Sequence, residues 1–215
     1  MARLPEPEKR SELARAAVEV LQREGTDVSM AQLADALGIK RPTLLYHFPT
    51  KAHIVELALV ELLGEQAVYV QERVSENAHP IDRLFAQMKA IHAFHRGREA
   101  RIVFLTQAIA ACAGERMTAI LEAGNHVFEA RRRASVELLR EGMAEGTVAP
   151  CDPEALIAAT RALTDGLMVQ RVMSGLDLAP VHALVWEQLY LPLKIEPKRK
   201  RSRQPITVSS RRSRS

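Results

Sequence analysis

A short segment between residues 29 and 51 carries the side chains with the most specific chemistry in the chain. It reads SMAQLADALGIKRPTLLYHFPTK, in which Gly38 separates two short apolar patterns. The second pattern also holds basic, hydroxyl and aromatic groups, which are Lys40, Arg41, Thr43, Tyr46 and His47. Arginine can bridge O6 and N7 of guanine, while lysine, threonine and tyrosine can reach phosphates or base edges. The segment therefore predicts a helix-turn-helix, whose second helix enters the major groove of DNA.

Three predicted helices position these side chains. The first spans about residues 7–24, where apolar residues recur at helical spacing. The second begins at Ser29, which forms a capping-box pattern with Gln32. The third runs from about residue 41 to residue 47, and Pro42 is tolerated in its first turn because that amide lacks an intrahelical partner.

These residues resemble the DNA-binding domain of the TetR family of bacterial repressors over about residues 9–60. The resemblance rests on the first helix ending in REG, the S-x-x-x-LADALG turn and the TLLYHFPTK segment. It implies a homodimeric, all-helical protein whose larger C-terminal domain binds an effector that releases DNA. The positions that the resemblance assigns to DNA are Lys40, Arg41, Pro42, Thr43, Tyr46 and His47, with phosphate or backbone contacts at Lys51, Ser29 and Gln32.

Three positions depart from the family pattern. Lys40 stands where a Ser or Thr helix cap is frequent, and Leu45 stands where a Tyr is frequent. Ala31 replaces an arginine that reads bases in one form of the pattern. We therefore expect base recognition to depend mainly on Arg41 and the apolar contacts of Pro42.

The rest of the chain predicts a larger helical domain. A continuous pattern from residue 51 to about residue 74 predicts a long helix, and the family resemblance implies that it joins the two domains. The segment 100–113 is apolar nearly all round and is expected to be central and buried. Gly124 is expected to weaken or divide the following helix. The helices after the long one are predicted over about residues 81–97, 100–113, 115–141, 153–173 and 180–191. In the family the last two pair across a dimer axis.

An effector pocket is predicted within this domain. His92 and His95 lie three residues apart on one apolar stripe, either as part of a pocket or as satisfied core imidazoles. Trp186 and several other large apolar residues are either pocket lining or plain core. The candidate pocket residues are Phe85, Met88, His92, His95, Phe104, Met117, Phe128 and Met168. The expected effector is apolar or amphipathic.

The charge is distributed unevenly along the chain. The net charge is +4, but nine Lys and Arg residues with one acid give residues 194–215 a charge of +8. Residues 1–55 carry only +1, so the remainder carries −5 and repels polyanions. The basic segment is expected to be disordered. It serves either as a solubility tail or as a non-specific, salt-sensitive DNA contact. The Arg131–Arg133 run is expected to be a solvated face.

No sequence motif indicates an enzyme. Ser135 and Ser174 lack a G-x-S-x-G setting, and there is no H-E-x-x-H pattern or phosphate-binding glycine loop. No cofactor or metal is expected. Cys112 and Cys151 are far apart and are expected to be free thiols. No apolar run approaches the roughly 20 residues of a membrane span, and no signal peptide is recognised, so a cytoplasmic protein is expected.

The sequence thus predicts an all-α transcriptional regulator with a helix-turn-helix domain at residues 1–50. The helix-turn-helix domain is followed by an effector-binding and dimerisation domain at residues 51–193. A disordered basic tail is predicted at residues 194–215. The expected partners are double-stranded DNA with a near-palindromic operator, a small-molecule effector and a second copy of the chain. The expected action is repression that the effector relieves. The alternative is a DNA-binding protein that does not switch and has no small ligand.

Overall fold

The structure is a computed structural model that describes residues 7–111 and 115–195, with side chains for 7–107 and 129–195. Within these residues the regular structure is helical, apart from one isolated antiparallel bridge between Val148 and Lys194. The all-α prediction is therefore confirmed. The helices are α1 (Pro7–Glu24), α2 (Met30–Ala36), α3 (Arg41–His47), α4 (Lys51–Ser75), α5 (Pro80–His95), α6 (Glu99–Ala111), α7 (Glu115–Ala144), α8 (Pro153–Ser174) and α9 (Leu178–Val185). A π-helical turn, Trp186–Tyr190, and a 3-10 turn, Leu191–Leu193, follow α9.

Helices α1 to α3 form the head of the molecule around a tightly filled core. Leu33, Leu44 and Phe48 are fully buried there, as are Ala14 and Val18 of α1. The turn between α2 and α3 contains Gly38 with φ +66°, a left-handed conformation that glycine adopts without steric cost. This turn fixes the angle at which α3 leaves α2. The predicted helix-turn-helix is therefore present.

Helix α4 belongs to both parts of the molecule. One continuous core runs from the head through Ile54 and Ala58 of α4 to Leu105 of α6 and Met168 of α8. On the side that faces α1, Arg15 lies 3.6 Å from Glu61. The predicted domain boundary at residue 50 falls in the short connection that precedes α4, but no gap in the core accompanies it.

A second core lies at the far end of the body, which we define as helices α4 to α9. Ile81 and Met88 of α5 pack there with Leu139 of α7 and Tyr190 of the π-helical turn. The Tyr190 hydroxyl lies 2.8 Å from Oγ1 of Thr160, so the buried phenol is hydrogen-bonded. Close by, Ile195 donates its backbone amide to the Thr147 carbonyl at 2.8 Å.

Helix α7 differs from the prediction because it continues through Gly124 and ends three residues later than expected. Its last turn passes so close to the next loop that a Cβ at Gly142 would lie 2.6 Å from Cγ2 of Val148. Glycine at position 142 therefore allows this close approach rather than ending the helix.

Helix α6 also differs from the prediction. Ile102 and Leu105 are buried, but Thr106 and Gln107 are exposed, so the described part of the helix is not buried all round. Thr106 lies in the wall of a cavity, described below. Cys112 and most of the predicted basic tail, residues 196–215, lie outside the described residues. No helix in the described ranges is long and apolar enough to cross a membrane.

Candidate nucleic-acid interface and internal cavity

Helix α3 presents a polar, exposed surface opposite its buried side. Arg41, Pro42 and Thr43 in its first turn are exposed, and Tyr46 in the next turn is 49% exposed. Lys40 is the N-cap residue and its side chain makes no capping hydrogen bond, so the ammonium remains in solvent. The sequence-predicted cationic and hydroxyl groups therefore share one surface.

The start of α2 borders this surface and is held by the capping box that the sequence predicts. Ser29 Oγ accepts a hydrogen bond from the backbone N–H of Gln32 at 3.2 Å. In return, Gln32 Oε1 accepts one from the Ser29 amide at 2.9 Å. Both side chains are exposed. Because the capping bonds use Ser29 Oγ and Gln32 Oε1 as acceptors, the carboxamide N–H groups of Gln32 point away as donors.

His47 requires a correction, since the sequence places it on the outward surface of α3. The side chain is only 7% exposed, because it lies one helical turn after Leu44 on the inner side of the helix. Its Nδ1 atom is buried without a hydrogen-bond partner among the described residues. Burial, together with the charges of Lys9 and Arg10, lowers its pKa. A neutral imidazole in this position supports the fold of the head rather than offering a cationic contact.

Lys51 at the start of α4 is half-buried and points back at the head. Its Nζ atom donates hydrogen bonds to the carbonyl oxygens of Thr26 and Val28, at 2.5 and 2.9 Å. The ammonium therefore holds the connection between α1 and α2 against α4. One N–H remains for a phosphate, because an ammonium has three.

Helices α4 to α8 line a cavity of about 750 Å³ in the body that is partly open to solvent; we call it the large chamber. This volume lies within the range of small-molecule sites, about 300–1,000 Å³. Most of its surface comes from aliphatic side chains. The apolar lining residues are Leu59, Leu63, Leu84, Ile91, Ile102, Val103, Ile157, Ala158, Met168 and Val169. The polar ones are Gln66, Gln87, Thr106, Arg131, Arg132, Ser135, Glu154, Thr160, Arg161, Thr164 and Asp165.

Of the predicted pocket residues whose side chains the structure describes, only Met168 lines the large chamber. Phe85 packs instead against Trp186 with ring centroids 4.9 Å apart, and Met88 is fully buried in the second core. Phe104 is half-buried against the first core. Met117 and Phe128 have side chains outside the described residues.

The predicted histidines are buried and hydrogen-bonded between helices. His95 Nε2 lies 2.7 Å from Oε1 of Gln66. His92 Nε2 lies 2.9 Å from the Thr164 carbonyl oxygen, and His92 Nδ1 lies 2.8 Å from Nε2 of His182. The carbonyl can only accept, so His92 Nε2 carries the proton and His182 Nε2 donates to His92 Nδ1. The stacked pair is therefore consistent with two neutral rings.

Burial disfavours the charged form of all three imidazoles. It lowers the pKa of His92, while the neighbouring Arg171 acts in the same direction. Burial and Arg98 lower the pKa of His95 to about 4, and burial and His92 lower that of His182 to about 4. Among the described residues no three His, Cys, Asp or Glu side chains gather as metal ligands would.

Comparison with known proteins identifies the head. Residues 13–58 match the family model of bacterial regulatory proteins, tetR family. The matched segment contains the helix-turn-helix of the head, which is thus similar to that family of bacterial regulatory proteins. The resemblance drawn from the sequence is thereby confirmed, and the match covers the helix-turn-helix together with the start of α4.

Similarity to known proteins extends along most of the chain. The nucleoid occlusion factor SlmA of Aliivibrio fischeri is 27% identical over 184 residues, which is 84% of this chain and 92% of that protein. The ketosteroid transcriptional regulator KstR2 of Mycobacterium tuberculosis superposes with a TM-score of 0.65 at 20% identity, covering 91% of this chain and 100% of that one. The transcriptional regulator FadR of Bacillus subtilis, solved with stearoyl-CoA, gives 0.68 at 18% identity, covering 83% and 96%. The chain thus combines a head that matches the tetR family model with the fold of these two solved transcriptional regulators.

Sequence reasoning missed most of the large chamber. The lining residues Leu59, Leu63 and Gln66 recur at helical spacing on α4, and Gln66 interrupts an apolar stripe, which is the signal that could have revealed a polar cavity wall. Arg131 is half-buried at the cavity rather than solvated, because α7 turns this side chain inward.

Proposed function

We propose that the protein is a homodimeric transcriptional repressor that leaves a near-palindromic operator when a small molecule fills the large chamber. Two copies of α3 would enter successive major grooves about 34–36 Å apart. Arg41 would read a base, and Ser29, Gln32, Lys40, Thr43, Tyr46 and Lys51 would contact DNA around it. The apolar ring of Pro42 would lie against the bases.

The observation that carries the proposal is the double role of α4. Its residues Leu59 and Leu63 line the large chamber. In the same two turns, Glu61 and Glu65 lie 3.6 and 3.9 Å from Arg15 of α1. A ligand that moves this part of α4 must therefore move the contact with the head. The ligand can shift the equilibrium between the DNA-binding and the released conformation only by the difference between its binding free energies for the two.

The homodimer is supported by an apolar surface on the last two helices. Exposed apolar side chains cluster on α8 and α9, and Met173 is the most exposed of them at 76%. Val172 of α8 and Leu184 of α9 are also exposed, as is Leu191 in the 3-10 turn that follows α9. A second copy of the chain would cover this surface, as the family resemblance implies. The two heads would then be held at a fixed separation.

A second candidate function is a DNA-binding protein that does not switch. It is favoured by the similarity to SlmA, a nucleoid occlusion factor, over 84% of this chain. The large chamber favours the ligand-responsive repressor instead, because a protein without a ligand gains nothing from unfilled volume. The two candidates differ in whether any compound weakens operator binding.

The test begins with selection of bound sequences from a random DNA pool. Arg41→Ala is expected to relax specificity at one base position and to cost about 1–3 kcal/mol of binding free energy, measured by fluorescence anisotropy. Arg23→Ala is the matched control, since Arg23 is an exposed arginine on α1 that pairs with Glu24. Equal effects of the two changes would contradict the assignment of α3 as the reading helix.

The switch is tested on the same operator. Compounds that raise the melting temperature of the protein are expected to release it from DNA. If stabilising compounds occupy the large chamber and operator affinity stays unchanged, the repressor model fails and the non-switching candidate remains.

A further inference from the structure

A second, smaller cavity adjoins the large chamber. It has a volume of about 100 Å³ and lies between α4, α5 and α7; we call it the small chamber. Leu84, Gln87, Arg131 and Ser135 line both chambers. The two spaces therefore adjoin at a wall made of these four residues.

The small chamber is cationic. Arg83 and Arg131 line it, and no carboxylate is among its described lining residues. Arg83 Nε is buried and has no hydrogen-bond partner among the described residues. The nearby carboxylate of Asp82 is held by Lys194 Nζ at 3.0 Å. Burial lowers the pKa of Arg131, a sign that its guanidinium has lost water without gaining an anion.

The other charged groups around the large chamber already have partners. Arg132 is held by Glu129 through contacts of 2.7 and 2.8 Å. Glu154 pairs with Arg140 at 2.5 Å, and Arg161 lies 3.6 Å from Asp165. Among the described lining residues, positive charge without a counter-charge therefore lies at Arg131, which lines both chambers, and at Arg83 of the small chamber.

Two such guanidinium groups destabilise the ligand-free protein and favour the binding of an anion. A partly desolvated guanidinium without a counter-charge is destabilising, whereas a carboxylate can accept two parallel hydrogen bonds from it. A volume of about 100 Å³ is large enough for a carboxylate. The large chamber, with no aromatic ring among its described lining residues, suits a flexible aliphatic body.

We propose that the ligand is an aliphatic carboxylic acid, with its carboxylate between Arg83 and Arg131 and its hydrocarbon chain in the large chamber. This inference names the effector class of the proposed function and rests on it for its regulatory meaning. The binding chemistry is independent of DNA and can be tested without it.

The direct test compares three ligands that share one chain, namely dodecanoate, 1-dodecanol and dodecanoyl-coenzyme A. Calorimetry on the full chain is expected to show that dodecanoate binds roughly 10- to 100-fold more tightly than the alcohol, since charge-assisted hydrogen bonds are lost in the alcohol. Equal affinity for acid and alcohol would overturn the inference. Tighter binding of the thioester would overturn it as well, because the recognised group would then be the nucleotide.

Variants locate the carboxylate. Arg131→Gln and Arg83→Gln are each expected to abolish the preference for the acid while leaving the affinity for dodecanol unchanged. Arg133→Gln is the matched control, because Arg133 lies on the same helix, is exposed and lines neither chamber. Without ligand, Arg131→Gln should melt no lower than the parent, since the change removes a desolvated charge. A preserved acid preference in both chamber variants would contradict the site.

Operator release separates this inference from the proposed function. If dodecanoate binds through Arg83 and Arg131 but leaves operator affinity unchanged, the repressor model fails and the acid site stands. If dodecanol releases the operator as well as dodecanoate does, the model stands and the acid site is wrong.

Discussion

The head and the body are both helical and rich in apolar residues, yet they fill their interiors differently. In the head, Val18, Leu44 and Phe48 are fully buried in a continuous core. In the body, five helices of similar composition leave a cavity of about 750 Å³. Dense cores resist deformation, so a head of this kind holds α3 in one orientation. Apolar content alone therefore does not decide whether a helical bundle packs into a dense core or leaves a cavity.

The comparison predicts first that acid damages the body more than the head. The body contains three imidazoles with lowered pKa values, at His92, His95 and His182, and the head contains one, at His47. Unfolded histidines titrate near 6.5, whereas these histidines titrate at lower pH in the folded protein. As the pH falls below 6.5, the unfolded chain therefore binds more protons than the folded chain does. The stability that these groups contribute is therefore present above pH 6.5 and is lost as the pH falls toward about 4.

The measurement is urea unfolding between pH 7 and pH 4.5. Trp186 is the chain's one tryptophan and lies against Phe85, so its fluorescence reports on the body. The slope is about 1.4 kcal/mol per pH unit for each proton taken up on unfolding. A free energy of unfolding that stays constant from pH 6.5 to 4.5 would show that the histidines are not held neutral. The charged neighbours that influence them are Lys89, Arg96, Arg98, Glu99, Asp165 and Arg171.

The second prediction uses the same substitution in both regions. Val18→Phe is expected to destabilise the protein by about 1–3 kcal/mol, because it overfills the core of the head. Val103→Phe is expected to cost little, because Val103 lines the large chamber and the added ring can occupy free volume. Chemical denaturation measures both, and similar costs would mean that the chamber closes in solution. Val103→Phe should also weaken binding of any ligand that fills the chamber.

The smallest expected effect concerns two helix caps. Ser29→Ala and Asp152→Ala each remove a side chain that accepts a hydrogen bond at a helix N-terminus, at α2 and α8 respectively. Each should cost about 1 kcal/mol of stability. Only Ser29→Ala is expected to weaken DNA binding, since Ser29 borders the polar surface of α3. If only the Asp152→Ala variant lost operator affinity, the assignment of DNA binding to the head would be contradicted.

The sequence predicts the head well because its signals are local. The capping box of Ser29 and Gln32, the turn at Gly38 and the proline in the first turn of α3 each act within a few residues. The body depends on contacts between distant residues. His92 meets His182 across 90 positions, and Glu99 of α6 lies 3.1 Å from Arg171 of α8.

The misplaced side chains have the same explanation. His47 and Arg131 are polar residues on helices, and periodicity alone places such residues in solvent. Whether a neighbouring helix covers them is decided by tertiary contacts. The large chamber escapes sequence reasoning for the same reason, since a lining leucine such as Leu63 has the same local pattern as a core leucine.

The interleaved contacts of α4 have a consequence for building hybrid regulators from related proteins. Along the helix, Leu59, Glu61, Leu63 and Glu65 alternate between the chamber wall and the partner surface of α1. A new head joined before residue 59 removes Arg15 and leaves Glu61 and Glu65 without that partner. A new head joined after residue 65 replaces the chamber residues Leu59 and Leu63 as well. No junction in this helix exchanges DNA recognition alone. Ligand preference will therefore travel partly with the DNA-binding module whenever such parts are recombined.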